Sequence, residues 1–131
     1  MRELMMARLG KQRLVDWTGL VLETADGPGT RYVAQVEGNG LSARRTLRLV
    51  AGEPRLSAYL TAPDGTWSSS ETDLVVTATP SSFDQVELSV ELKTSAALPE
   101  QWKAQASFYV TRGDILRFAR EVQELEGLLL S

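Results

Sequence analysis

The chain has 131 residues, 14 Lys/Arg against 17 Asp/Glu, a formal net charge of −3, and neither cysteine nor histidine. That composition excludes disulfides, thiolate metal sites and cysteine nucleophiles, and it removes the commonest general base and metal ligand. Charge is uneven, with nine basic and seven acidic side chains in residues 1–65 but five and ten in residues 66–131; an acidic whole is a poor general nucleic-acid binder.

Residues 1–12 show no sustained period and read as a flexible lead-in. They hold no apolar run long enough for a signal peptide, and no segment reaches the ~20 apolar residues that span a bilayer. A cytoplasmic location away from membranes is the expectation. The first strand is read over Leu14–Glu23, with Trp17 in the core and Gly19 marking a bulge. After the Ala25–Gly29 turn, Thr30–Glu37 puts Tyr32, Ala34 and Val36 on one strand face. Gly38-Asn39-Gly40 is a second turn; it lacks the helix and lysine that would make it a phosphate loop.

Ser42–Val50 places Ala43, Arg45, Leu47 and Leu49 together, opposite Arg44, Thr46 and Arg48. Arg44 and Arg48 could grip an anionic partner bidentately. They also suit a solvated strand face or a charged edge that discourages aggregation. Arg45 is in phase with the leucines, so either the register shifts there or the guanidinium snorkels out at the sheet's end. Arg55–Thr61 reads as a further strand on Leu56, Ala58 and Leu60. Trp67 falls in a loop, either as an exposed binding anchor or folded back as a lid over the core edge.

In the second half, Leu74–Thr79 is apolar on both sides, as a central strand covered on both faces would be. Val86, Leu88, Val90 and Leu92 alternate with Glu87, Ser89, Glu91 and Lys93, the cleanest strand in the sequence. Trp102, Ala104, Ala106, Phe108 and Val110 repeat the pattern, and a loop through Leu98–Glu100 makes the two a hairpin. The period then changes. Ile115, Phe118, Ala119, Val122, Leu125 and Leu129 form a helical stripe. Thr111 with Asp114 offers a capping-box start at about residue 112, and Gly127 an end, leaving Leu128–Leu130 as a sticky tail. Arg117–Glu121 and Arg120–Glu124 are spaced i,i+4 on the far face.

These elements predict one domain over residues 1–131, mainly β (α+β). About seven antiparallel strands form a sandwich-like or strongly curved sheet, with the C-terminal helix packed on it. Asp16, Asp26, Asp64, Asp73, Asp84 and Asp114 are scattered beside turns, and Ser68–Ser70 has no histidine to activate it. The expectation is no enzyme, no cofactor and no metal site.

The run Leu74–Thr79, then Val86–Leu92, then Trp102 opening a strand, then Asp114–Leu125 resembles the WapI-type immunity proteins and related actinobacterial domains of unknown function. The resemblance covers about residues 74–125 and implies a protein that binds and neutralises a toxin domain. On that view the acidic half, with Glu87, Glu91, Glu121 and Glu124, is the face to test, beside Arg44, Arg48 and Trp67 as partner-binding candidates. Two rivals stand next to protein binding: a small-molecule module with an apolar pocket beside the helix, and a subunit of a homo-oligomer.

Overall fold

The computed structural model describes residues 5–12, 16–25, 29–38, 40–69, 73–94 and 102–130. It is mainly β, with two four-stranded antiparallel sheets facing each other and a C-terminal helix. Sheet 1 runs β1 (Met6–Gln12), β2 (Trp17–Thr24), β3 (Arg31–Gly38) and β4 (Leu41–Arg48) in simple order. A short helix α1 (Leu56–Thr61) leads into sheet 2, which runs β5 (Thr66–Ser68), β6 (Leu74–Pro80), β7 (Gln85–Lys93) and β8 (Lys103–Thr111). Helix α2 (Arg112–Leu130) starts directly from β8. Several expected features lie outside the described residues: the Leu14 start, most of the Ala25–Gly29 turn, Asn39, Ser70 and the Leu98–Glu100 loop.

Alternation builds the core. From sheet 1, Ala7, Leu9, Leu20, Leu22, Tyr32, Ala34, Val36 and Leu47 are buried. Facing them from sheet 2 are Val76, Leu88, Val90, Leu92, Phe108 and Val110, also buried. Pairs such as Leu74↔Leu92 and Leu88↔Phe108 keep every inward residue in phase, because a one-residue slip would turn the whole set to water.

Two strands lie beyond those expected: β5 around Trp67, and β1 in the stretch expected to be flexible. Only Ala7 and Leu9 carry its inward pattern, too few to show a period alone, yet it pairs with β2 from Met6↔Glu23 to Gln12↔Trp17. Gly19 marks no bulge. It pairs with Gly10 in unbroken register, and both glycines make room for the Trp17 indole: a Cβ on Gly19 would sit 2.5 Å from Trp17 Cη2. Trp17 is therefore half-buried on the outer face instead of in the core, with the Arg8 guanidinium 4.2 Å from its ring centroid.

The Arg55–Thr61 segment is helical, not extended, with Leu56, Ser57 and Leu60 buried and Ala58 exposed. Leu56 and Leu60 satisfy both an alternating and an i,i+4 pattern, so six residues could not separate the two. Helix α2 begins as expected. Thr111 Oγ1 accepts from Asp114 N–H at 3.1 Å, and Asp114 Oδ2 accepts from Thr111 N–H at 3.3 Å, the reciprocal pairing of a capping box. It then runs through Gly127 to Leu130 because Leu129 is buried, so the expected sticky tail is part of the helix and core. Burying Phe118, Val122 and Leu125, each at most 2% exposed, stabilises by about 1.5–3 kcal/mol per side chain. This stripe packs on β1, β2 and β8 and against α1. Among the described residues no helix is long and apolar enough to cross a membrane.

Candidate protein-docking face

The acidic candidates do not make one free face. Glu87 and Glu91 lie on the outer side of sheet 2, where Glu87 accepts from the Tyr109 phenol and Glu91 accepts from Gln105 Nε2 at 3.1 Å. The hydrogen bond to Glu87 pushes the Tyr109 hydroxyl above its ordinary pKa. Glu121 sits on α2, 3.2 Å from Arg117 Nη1, and Glu124 is exposed on the same helix. Trp67 is no exposed anchor. It lies in β5 at 8% exposure and donates from Nε1 to Pro54 O at 3.0 Å, closing the core edge as a lid. Trp102, expected in the core, is 41% exposed.

Arg44 and Arg48 are on the outer face of sheet 1, which is less settled. Arg44 Nη2 reaches Glu23 Oε1 at 2.6 Å, and its Nη1 donates to Gln35 Oε1 at 3.4 Å. Gln35 Nε2 in turn donates to Glu37 Oε1 at 2.5 Å and Ser42 Oγ at 3.2 Å. Glu23 and Glu37 are thus both engaged. Arg31 and Arg48 stand directly opposite each other across β3 and β4, and neither forms an ion pair among the described residues. Like charges in that position are destabilising. A groove of about 660 Å³ opens beside them, lined by Met5, Met6, Glu23, Arg31, Val33, Arg44 and Thr46 among others. On the other side of Arg44 a second cleft of about 490 Å³ is bordered by Trp102 and Lys103.

The same strand is a sheet edge. Leu49 N–H donates to Thr30 O at 2.7 Å, so by antiparallel alternation Leu47, Arg45 and Ala43 also turn their backbone groups toward β3. The N–H and C=O of Ser42, Arg44, Thr46 and Arg48 then point away from the sheet. Among the described residues no turn, loop or helix pairs with them.

Two polar contacts lie inside. Arg45 neither shifts register nor snorkels out: it points inward and crosses the sandwich. Its Nη1 lies 2.8 Å from Oδ2 of buried Asp73 and donates to Lys93 O. Asp73 Oδ2 accepts no well-aligned hydrogen bond, so charge more than direction holds the pair. Ser57 Oγ donates to the carboxylate of buried Glu126, joining α1 to α2. Burial first, then the negative charge of Glu126, raises the Tyr32 phenol pKa above its ordinary value of 10.0. The space between Tyr32, Trp67 and the helix is about 20 Å³, room for about one water. An enclosed small-molecule pocket does not fit there. No group of three or more Asp or Glu among the described residues could hold a metal ion.

Asp73 as the partner of Arg45 is not legible in the sequence, whereas a charged edge at Arg44 and Arg48 is one of the readings the sequence offers, and β4 is that edge. Arg45 in phase with leucines was the signal for a buried countercharge, but its place in the chain could not be read. The molecule is thus a two-sheet β domain closed by a helix, with an arginine-bearing β4 edge that is unpaired among the described residues. Residues 10–127 match the model of the Family of unknown function (DUF6228), and the chain belongs to that family. No curated protein and no solved structure matches it.

Proposed function

We propose a non-enzymatic protein-binding domain whose docking face is the outer side of sheet 1 and its β4 edge. The partner supplies an extended acidic segment. The observation that carries this reading is the coincidence, on one strand, of unpaired backbone groups at Ser42, Arg44, Thr46 and Arg48 with the opposed Arg31–Arg48 pair. An added strand satisfies the backbone groups, as in strand-addition complexes. Carboxylates at alternate positions fall beside Arg44 and Arg48 and relieve the repulsion. Electrostatic complementarity of this kind also speeds encounter. In its sharpest version the partner is a toxin domain that the bound protein neutralises.

The test is fluorescence anisotropy with a synthetic peptide alternating glutamate and threonine, as long as β4, against its lysine counterpart. The acidic peptide should bind and the basic one should not. Arg48→Glu should weaken binding about tenfold, the ~1.4 kcal/mol expected when an attraction becomes a repulsion. Thr46→Pro removes one outward N–H without touching the ladder to β3, as proline on an edge strand can. It should lower affinity while leaving the melting temperature close to wild type. Equal binding of both peptides, or insensitivity to both substitutions, would refute this face. Tagged purification from native cells with mass spectrometry then identifies the partner, and a toxin domain there would support the immunity version.

A further inference from the structure

A different surface, at the far end of sheet 2, carries an inference independent of the docking face. The turn between β6 and β7 places Phe83 at φ 42, the one non-glycine residue with positive φ among those described, and leaves its side chain fully exposed. The turn itself is well tied, with Ser81 N–H on Gln85 O at 3.0 Å and Gln85 N–H on Ser82 O at 2.7 Å. A bulky residue in the left-handed region is strained, and a large aromatic ring in water is unfavourable. Nothing within the described fold compensates for either. Beside the turn is a cleft of about 450 Å³ lined by Ala62, Pro63, Pro80, Val86, Leu116 and Arg112 among others. Pro80 and Val86 flank the turn, so Phe83 stands on the rim of a hole that it does not fill. Leu116 inside the cleft is itself 44% exposed.

We propose that the chain forms a two-fold dimer in which Phe83 of each copy fills the cleft of the other. A two-fold interface requires knob and hole on one self-complementary patch, and this patch has both. Its charges match in the same sense. Asp84 adjoins the knob and Arg112 lines the hole; within one chain they are joined by the backbone, Arg112 N–H to Asp84 O at 2.8 Å. Neither side chain has an ion-pair partner among the described residues. The two-fold brings Asp84 of one copy to Arg112 of the other, twice. Two phenylalanines bury roughly 300–500 Å², below the ~1,200–2,000 Å² of stable interfaces, so the dimer is a weak one.

Sedimentation equilibrium of the full chain tests this. The mass should rise from 14.4 kDa toward twice that value as concentration rises to about 1 mM, where weak association registers. Phe83→Gly should abolish the rise, while its monomer melts at an equal or higher temperature because glycine accepts positive φ freely. Asp84→Arg and Arg112→Asp should each weaken the dimer, and the two together should restore it. A wild-type mass that stays at 14.4 kDa, a dimer that survives Phe83→Gly, or a double swap no better than the single changes would each overturn the proposal.

Discussion

Sheet 1 and sheet 2 are both four-stranded antiparallel meanders with one face on a shared core, but their outer faces are finished differently. On sheet 2 the outward side chains answer one another across strands: Thr66 with Thr77 at 3.0 Å, Ser89 with Ser107 at 3.2 Å, Glu91 with Gln105 and Glu87 with Tyr109. On sheet 1 the corresponding surface opposes Arg31 to Arg48 and ends in an open edge. Sheet 2 has a like-charge opposition too, Lys93 to Lys103, so identical topology yields two surfaces that differ in kind: hydroxyl and amide pairs across sheet 2, and an arginine-centred network ending at the β4 edge on sheet 1. A sheet's architecture says little about which face binds; the pairing of its outward residues says more.

The strongest way to break this comparison is to cut the link between the sheets. Asp73 is buried, and Arg45 reaches it from β4, the edge strand of sheet 1. Asp73→Ala leaves a largely buried guanidinium without its countercharge, and should cost about 3 kcal/mol in urea unfolding. Changing both residues together, Arg45→Met with Asp73→Leu, should cost much less, because the penalty lies in the uncompensated charge and not in losing the pair. If both variants lose the same stability, the pair is not the clasp between β4 and sheet 2.

A second, pH-dependent effect tests the inner face of sheet 1. Tyr32 is buried and lies under the negative charge of Glu126, which raises its pKa above 10.0. The folded protein keeps this proton, whereas the unfolded chain loses it near 10.0. The stabilisation is therefore complete below that pH and is lost as pH rises through the alkaline range. The contribution of this one proton is at most about 1.4 kcal/mol per pH unit. Tyr32→Phe should flatten the alkaline fall in stability relative to wild type, measured by urea unfolding at a series of alkaline pH values. An unchanged slope would mean that the phenol is not held protonated by the fold.

How much of this was legible in the sequence follows from where each signal resides. The α2 stripe and its Thr111–Asp114 cap are local, spanning few residues, and they could be read directly. So could the alternation of β7, whose period repeats four times. Strand β1 could not, since Ala7 and Leu9 become a pattern only beside Leu22 and Leu20. Trp17 and Trp102 fall in strand patterns that predict core positions, but Trp102 precedes the start of β8 and is exposed. Trp17 instead rests on a glycine pair that exists only once β1 and β2 are in register. The candidate site divides in the same way. The outward phase of Arg44 and Arg48 was visible, but the opposition of Arg31 to Arg48 depends on long-range pairing. Phe83 lies in the turn between β6 and β7, and nothing local distinguishes a turn residue that folds back from one that stands free.

The smallest effect sharpens the comparison most directly, because it treats the two outer faces alike. Arg48→Glu replaces a like-charge opposition to Arg31 by an attractive one, and should raise stability by about 0.5 kcal/mol. Glu91→Lys on sheet 2 removes the carboxylate that accepts from Gln105, and should lower stability by about the same amount. Both sites are solvated, so the charge part of each change should shrink as salt is raised toward about 1 M. Opposite signs from the two single reversals would show that the Arg31–Arg48 site gives up stability where the Glu91–Gln105 site does not. Stability given up on an exposed strand is what a surface shaped by binding, and not by folding alone, is expected to show. If Arg48→Glu destabilises instead, the Arg31–Arg48 opposition is relieved within the chain, and the argument for an acidic partner at that edge falls with it.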